Sequence, residues 1–416
     1  MTREKRGGRL PWSSRRLVLV VAGTLVSTGC GGAFLPDFAT TFRPSTSPWA
    51  IVLYMDASGD LRAQAAADLS AMEAVGLSGT GITVLALVDD GTRARLYEVA
   101  DDPAGPSPTV SSIPIAVPAL GIDPAGPDVT LDMSDPATLS ELLSFVEEAY
   151  RPERRALILW GAGSGYHIAA FLSPALRGTM LDVIGFDASF SASVEVAWEL
   201  RSSARLMVAS QAIVSEAGWD YGGALRRFVD SDRAAGSLVD AIVAACVAAG
   251  DSVRTTISAI DLTRLAPVMA ALNDLSDALY HGIADAAARD SMRSSLFYDV
   301  ESFYATPGDL SIDVGELGVI VRRDHGLAEA EAAALAHAVR SAVRSNHRGS
   351  RHPAASGMSI HLIPLRADGT AGCGHASRYF RGSPGSAPLA FVSDSTWVPV
   401  YPAGPGLLYR LFYEVM

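Results

Sequence analysis

Lysine is almost missing. Of 33 basic residues in this chain of 416 only Lys5 is a lysine, and together they are outnumbered by 45 acids, giving a formal net charge of −12. Arg3, Lys5, Arg6, Arg9, Arg15 and Arg16 all fall within residues 1–29, against the single acid Glu4, so the rest of the chain carries −17. A nucleic-acid surface needs clustered Lys and Arg to displace counterions, so that balance excludes one. The shortage of lysine itself is a trait of composition and carries no function. Cysteine is scarce too, with three in all, at positions without metal-ligand spacing; neither a disulfide framework nor a metal site is expected. Cys246 lies in the helical apolar pattern Val243-Ala-Ala-Cys-Val-Ala-Ala and reads as a small core residue. Cys373 sits in the loop Ala371-Gly-Cys-Gly-His375; the two could pair only if the fold brings their Cα atoms within about 7 Å, which the sequence leaves open. No cofactor motif is present. Gly161-Ala-Gly-Ser-Gly165 lacks the third glycine at the fingerprint spacing and the acid of a dinucleotide site, and Ala162 and Tyr166 displace the glycines that would make Ser164 a nucleophile elbow.

The apolar run Leu17–Val26 is too short to cross a bilayer and suits the core of a secretory leader. It follows the basic segment and precedes Ser27-Thr-Gly-Cys30, a pattern that resembles a bacterial lipobox with Ser27 at a position usually aliphatic. The expectation is a leader over 1–29, lipidation of Cys30, and a Pro-, Thr-, Ser- and Gly-rich tether over 30–48. A glycine after Cys30 favours the outer membrane of a Gram-negative cell; the alternative is a secreted protein.

Beyond the tether, 49% hydrophobic residues give ample core. Buried strands are expected at Trp49–Met55, Ile82–Val88, Ala156–Trp160, Val183–Phe186 and Arg205–Ser210, with a shorter alternating strand at Arg95–Val99. Helices are expected over 61–75, from Pro136 with Leu139, Leu142, Leu143 and Val146 on one face, and over Val194–Leu200. Helices near 222–230, 236–249, 262–283 and 327–345, with strands at 255–260 and 357–363, complete the pattern; residues 101–128 read as loop and 290–323 as mixed. Alternating strands and helices argue for an α/β fold, a mainly parallel sheet with helices on both faces. We expect a core at 49–250 and an α/β C-terminal part of the same fold at 251–416.

Several segments, in order, resemble one family. They are Trp49–Asp60 with its Tyr-Met and acidic turn, Asp68-Leu-Ser-Ala-Met-Glu-Ala-Val-Gly76, Asp132-Met-Ser-Asp-Pro-Ala-Thr-Leu139, Ile184–Leu200, and Ser210–Tyr221 ending Gly-Trp-Asp-Tyr. The chain is similar to the clostripain family of cysteine peptidases (family C11), which share the caspase-like sheet. The resemblance implies two catalytic turns, and both depart from the family. Where the family's first turn reads Trp-Asp-His-Gly-Ser-Gly-Trp, this chain has Trp160-Gly-Ala-Gly-Ser-Gly-Tyr166, with Ala162 in the histidine's place. Where the second reads Asp-Ala-Cys, this chain has Asp187-Ala-Ser189. A serine without a base is a poor nucleophile at neutral pH, and alanine moves no proton. The short step from Ala162 to Ser189 also leaves out the family's processing loop.

The expectation is therefore an inactive homologue, a pseudopeptidase that binds peptide or protein. The resemblance places an oxyanion hole at the backbone N–H groups of Gly163 and Ser189 and an acid that receives Arg or Lys side chains at Asp187, assisted by Glu216. Asp187 as a simple cap of the turn or the next helix is an equal alternative. The competing function is a residual hydrolase using Ser189 and cutting after Arg or Lys. His167, just past the glycine turn, is the candidate base, though an ordinary loop histidine is the plainer reading of it.

Overall fold

In the computed structural model, residues 46–102, 104–105, 110–161, 166–215, 217–248, 256–304, 310–362, 389–398 and 406–412 are described, without the side chains of 166, 167, 304 and 409. The leader, Cys30 and most of the tether lie outside them, as does Cys373. Near the start of the described residues, the Ser47 backbone N–H donates to the Tyr150 carbonyl and its hydroxyl donates to that of Trp49.

Twelve strands are described: β1 (Trp49–Asp56), β2 (Ile82–Asp89), β3 (Ala94–Glu98), β4 (Pro114–Ile115), β5 (Arg154–Trp160), β6 (Leu181–Asp187), β7 (Ala204–Ala209), β8 (Thr256–Asp261), β9 (Ser302–Tyr304), β10 (Leu310–Asp313), β11 (Val343–Arg348) and β12 (Ser359–Leu362). Nine form one sheet in the order β11-β8-β7-β6-β5-β1-β2-β3-β4, and β12-β10-β9 form a second. The run β2-β1-β5-β6-β7 is parallel. Antiparallel pairs extend it on both sides.

The parallel strands read as continuous apolar runs because both faces are covered. Alternation along β1 shows it. Ala50, Val52 and Tyr54 join one core with α2 (Pro136–Tyr150), α3 (Tyr166–Ala175), α4 (Val194–Leu200) and α7 (Leu265–Gly282); Trp49, Ile51, Leu53 and Met55 join the other with α1 (Arg62–Glu73), α5 (Tyr221–Val229) and α6 (Ala235–Ala248). The helix at 136 starts as its residues require: Asp135 accepts from the Ala137 N–H and Pro136 occupies the first helical position.

Chain order reverses between β1 and β5. Strand β1 leads through α1 to β2 on one side, and β5, β6 and β7 follow on the other. In open parallel sheets the crevice at such a switch point, outside the strands' carboxyl ends, is where ligands bind.

The C-terminal half departs from the expected pattern. The helix expected over 327–345 stops at Ala342 (α10, Glu329–Ala342), and the next residues form β11 against β8. Val-Arg-Ser-Asn-His-Arg has a two-residue alternation that pairing against β8 selects over helix propensity. Helices α8 (Ala286–Tyr298) and α9 (Val314–Ile320), with the three-stranded sheet, fill the stretch read as mixed, and β4 lies in the stretch read as loop. Short helices α11 (Ala390–Asp394) and α12 (Leu407–Phe412) follow. Cys246 is half-buried against the α1/α5/α6 core and free; burial above all pushes its thiol up to about 12.

Candidate functional site

Three strands end together at the switch point: β1 at Asp56, β5 at Trp160 and β6 at Asp187, with Met55 level with Trp160 and Trp160 level with Asp187. Gly161 leaves β5 at φ +124, and a Cβ there would stand 2.8 Å from the Asp56 carbonyl oxygen, so this turn admits no side chain. Ala162 and Gly163 lie outside the described residues, and so does the side chain of His167, whose backbone is in the first turn of α3.

Asp187 is 5% exposed. Its Oδ2 accepts from the Trp219 N–H at 3.0 Å and from the Tyr221 hydroxyl at 2.9 Å. Its Oδ1 is buried and has no hydrogen-bond partner among the described residues. Burial pushes this carboxyl up to about 6 against the pull of the two donors. The loop approaches so closely that a Cβ on Gly218 (φ +63) would meet Oδ2 at 2.7 Å. Asp187 thus ties down the segment leading into α5 with one oxygen and leaves the other without a partner among the described residues. It does not cap α4, which Ser193 caps. Glu216, its expected assistant, lies outside the described residues.

A second buried carboxyl supports the first. Asp68 of α1 accepts from Gln64 Nε2 and from Trp160 Nε1, both at 2.8 Å. Burial, with the Asp187 charge adding to it, pushes Asp68 up to about 7. Tyr221 is raised well above the ordinary phenol range by burial, then by Asp187 and Asp68. Asp68, Trp160, Trp219 and Tyr221 are the site residues that sequence reasoning did not assign. A signal existed, since Asp68 sits beside the inward Leu69 and Met72 on a helix whose acids should face water.

Ser189 follows two residues after Asp187. It is partly buried, and its Oγ accepts from the Val214 N–H at 3.0 Å. The turn is clamped along its length: Phe190 N–H donates to Ala212 O, and Ala192 N–H to Ser210 O. Phe190 is held at φ 58, a conformation bulky residues avoid. It packs beside Ala212, Phe303 and Ala355, and the His352 ring lies 5.0 Å from that of Phe303 with its Nδ1 3.0 Å from Glu301 Oε1. Among the described histidines none hydrogen-bonds Ser189. Among the described residues no group of three or more His, Cys, Asp or Glu could hold a metal ion.

The Clostripain family model matches residues 168–323. Over that stretch the chain is similar to the clostripain family. The fold agrees with a solved inactive zymogen C11 protease from Parabacteroides distasonis, 19% identical, TM-score 0.59, covering 77% of this chain and 93% of that one. It agrees also with a secreted C11 cysteine protease from Bacteroides thetaiotaomicron solved with an irreversible peptide inhibitor, 14% identical, TM-score 0.62, covering 84% and 99%. At these identities the likeness shows the caspase-like α/β fold. No curated protein matches the chain. The arrangement comprises a buried carboxylate, one oxygen of which has no hydrogen-bond partner among the described residues, and, two residues on, a hydroxyl that accepts from a backbone amide.

Proposed function

We propose that the chain is a non-catalytic clostripain homologue that binds a peptide or protein segment through a basic side chain without cutting it. One observation carries the reading: the residue in the nucleophile's place, Ser189, uses its hydroxyl as the acceptor for the Val214 N–H. Ala162 in the place of the family's histidine points the same way, because no acid or base stands there to move a proton. The free Oδ1 of Asp187 supports a cationic ligand, since a guanidinium or ammonium would supply the donor that the buried oxygen lacks. The leader and Cys30 support residence at the cell envelope, lipid-anchored, with the membrane as second partner; a relative of this fold is a secreted protease.

The test uses fluorogenic Arg and Lys amides and esters for turnover, and labelled Arg-containing peptides for binding. The expected result is no turnover, with peptide binding that weakens at least tenfold in Asp187→Asn. Turnover that disappears in Ser189→Ala would overturn the proposal and establish a residual hydrolase instead. Equal binding of Arg-containing and Arg-free peptides would remove the basic-residue assignment.

A further inference from the structure

Two cavities meet over α9 and α10, on the C-terminal part of the molecule. The smaller, about 150 Å³, lies where the helices nearly touch at Gly318, whose Cβ, if present, would be 2.5 Å from the Ala332 carbonyl oxygen. The larger, about 530 Å³, continues past Gly315 and Ala336 to β11 and residues 354–356. Arg340 lines both, Arg322 lines the first, and Arg348 the second. The result is one trough with a floor mostly of glycine and alanine, Val319 and Val343 beside them, and three guanidinium groups along its walls.

The three arginines there outnumber the one acid. Among the described residues Arg322, Arg340 and Arg348 have no acidic partner, whereas Arg323 and Arg344 pair with Asp324 and Asp240. The one acid lining the trough, Glu316, already accepts the Glu301 N–H through Oε2. Three open guanidiniums in one concavity stand out on a chain that carries −17 beyond residue 29.

We infer that this trough is a docking site for an acidic peptide segment of a partner protein, its carboxylates taken by Arg322, Arg340 and Arg348 and its small side chains lying on the Gly/Ala floor. Guanidinium groups fit carboxylates in paired, bidentate geometry. A bilayer or a long polyphosphate presents many negative charges to a chain that carries −17 beyond residue 29, whereas a short peptide with a few carboxylates needs only the three arginines. The inference is independent of what Asp187 holds.

Fluorescence anisotropy of the full chain with a fluorescein-labelled peptide of alternating Glu and Ala, beside its Lys-Ala counterpart, tests it. The Glu-Ala peptide is expected to bind, more weakly as salt is added because the contacts are exposed, and the Lys-Ala peptide not to bind. Arg340→Glu should weaken binding at least tenfold, Arg322→Ala with Arg348→Ala at least fivefold, and Arg323→Ala less than twofold. Two arginine variants are used so that failure of one to fold leaves the other. Absence of binding, or binding that neither variant changes, would overturn the inference. Binding to phosphatidylglycerol vesicles that the same variants abolish, without peptide binding, would reassign the trough to a lipid surface.

Discussion

The Tyr221 hydroxyl donates to Asp187 Oδ2 at 2.9 Å and so holds the first residue of α5 against the last residue of β6. Both side chains are buried. Tyr221→Phe removes one of the two donors of a buried carboxylate, a change worth ~1–3 kcal/mol when a charged group is involved. The ionised form loses most, so Asp187 moves further above its present value of about 6. Urea unfolding should show a larger loss at pH 8 than at pH 5. An equal loss at both would mean that the bond does not serve the charged form.

Asp68 makes the stability itself depend on pH. Its carboxyl stands at about 7 in the folded chain against an ordinary 3.8, so the folded state binds a proton that the unfolded state has released. Stability from this group is fully present below about pH 4 and is lost as pH rises through 7, by at most ~4 kcal/mol. Asp68→Asn keeps an acceptor for Trp160 Nε1 and removes the charge. Its unfolding free energy should therefore vary less between pH 5 and 8 than that of the natural protein. A variant with an unchanged pH slope would place the titration elsewhere.

The turn after β5 departs from the family's at position 161 as well as at 162. With φ at +124 and the Asp56 carbonyl oxygen 2.8 Å from any Cβ, position 161 accepts glycine alone, whereas the family turn has an aspartate there. Gly161→Ala should cost ~1–3 kcal/mol, the range for forcing a side chain into a backbone region it avoids, read as a lower midpoint in thermal unfolding. The same strain implies that Ala162→His with Ser189→Cys does not restore cleavage of Arg or Lys amides while the rest of the turn stays as it is. Turnover by that double variant would show that the turn still positions a base.

How much of this was readable from the residues varies with the element. Trp49–Met55, Ile82–Val88 and the helix capped by Asp135 were legible, because a doubly covered strand must be apolar throughout and a helix start must satisfy its own amides. The parallel core followed from their order. Strand β11 was not legible, since Val343–Arg348 is polar and gains strand geometry only from β8, a partner 83 or more positions away in sequence. At the site, Asp187 and Ser189 stood out through the family's motif, but the bond between Asp68 and Trp160 spans 92 positions. No local pattern reports such a contact.

A thiol at position 189 would report directly on whether an activating base exists. A cysteine peptidase needs its thiolate formed at neutral pH, which a neighbouring histidine or other cation secures by lowering the thiol pKa to ~3.5–7.5. Among the described residues Ser189 has a backbone amide as its hydrogen-bond donor and no histidine or arginine bonded to it. Ser189→Cys should therefore alkylate with iodoacetamide along a pH curve centred near the ordinary thiol value of ~8.5. Cys246, half-buried and pushed up to about 12, gives little background at neutral pH, and Ser189→Cys made together with Cys30→Ala, Cys246→Ala and Cys373→Ala confirms which thiol reacts. A reaction already complete at pH 6 would reveal an ion pair at position 189, make His167 the first residue to replace, and reopen the question of catalysis.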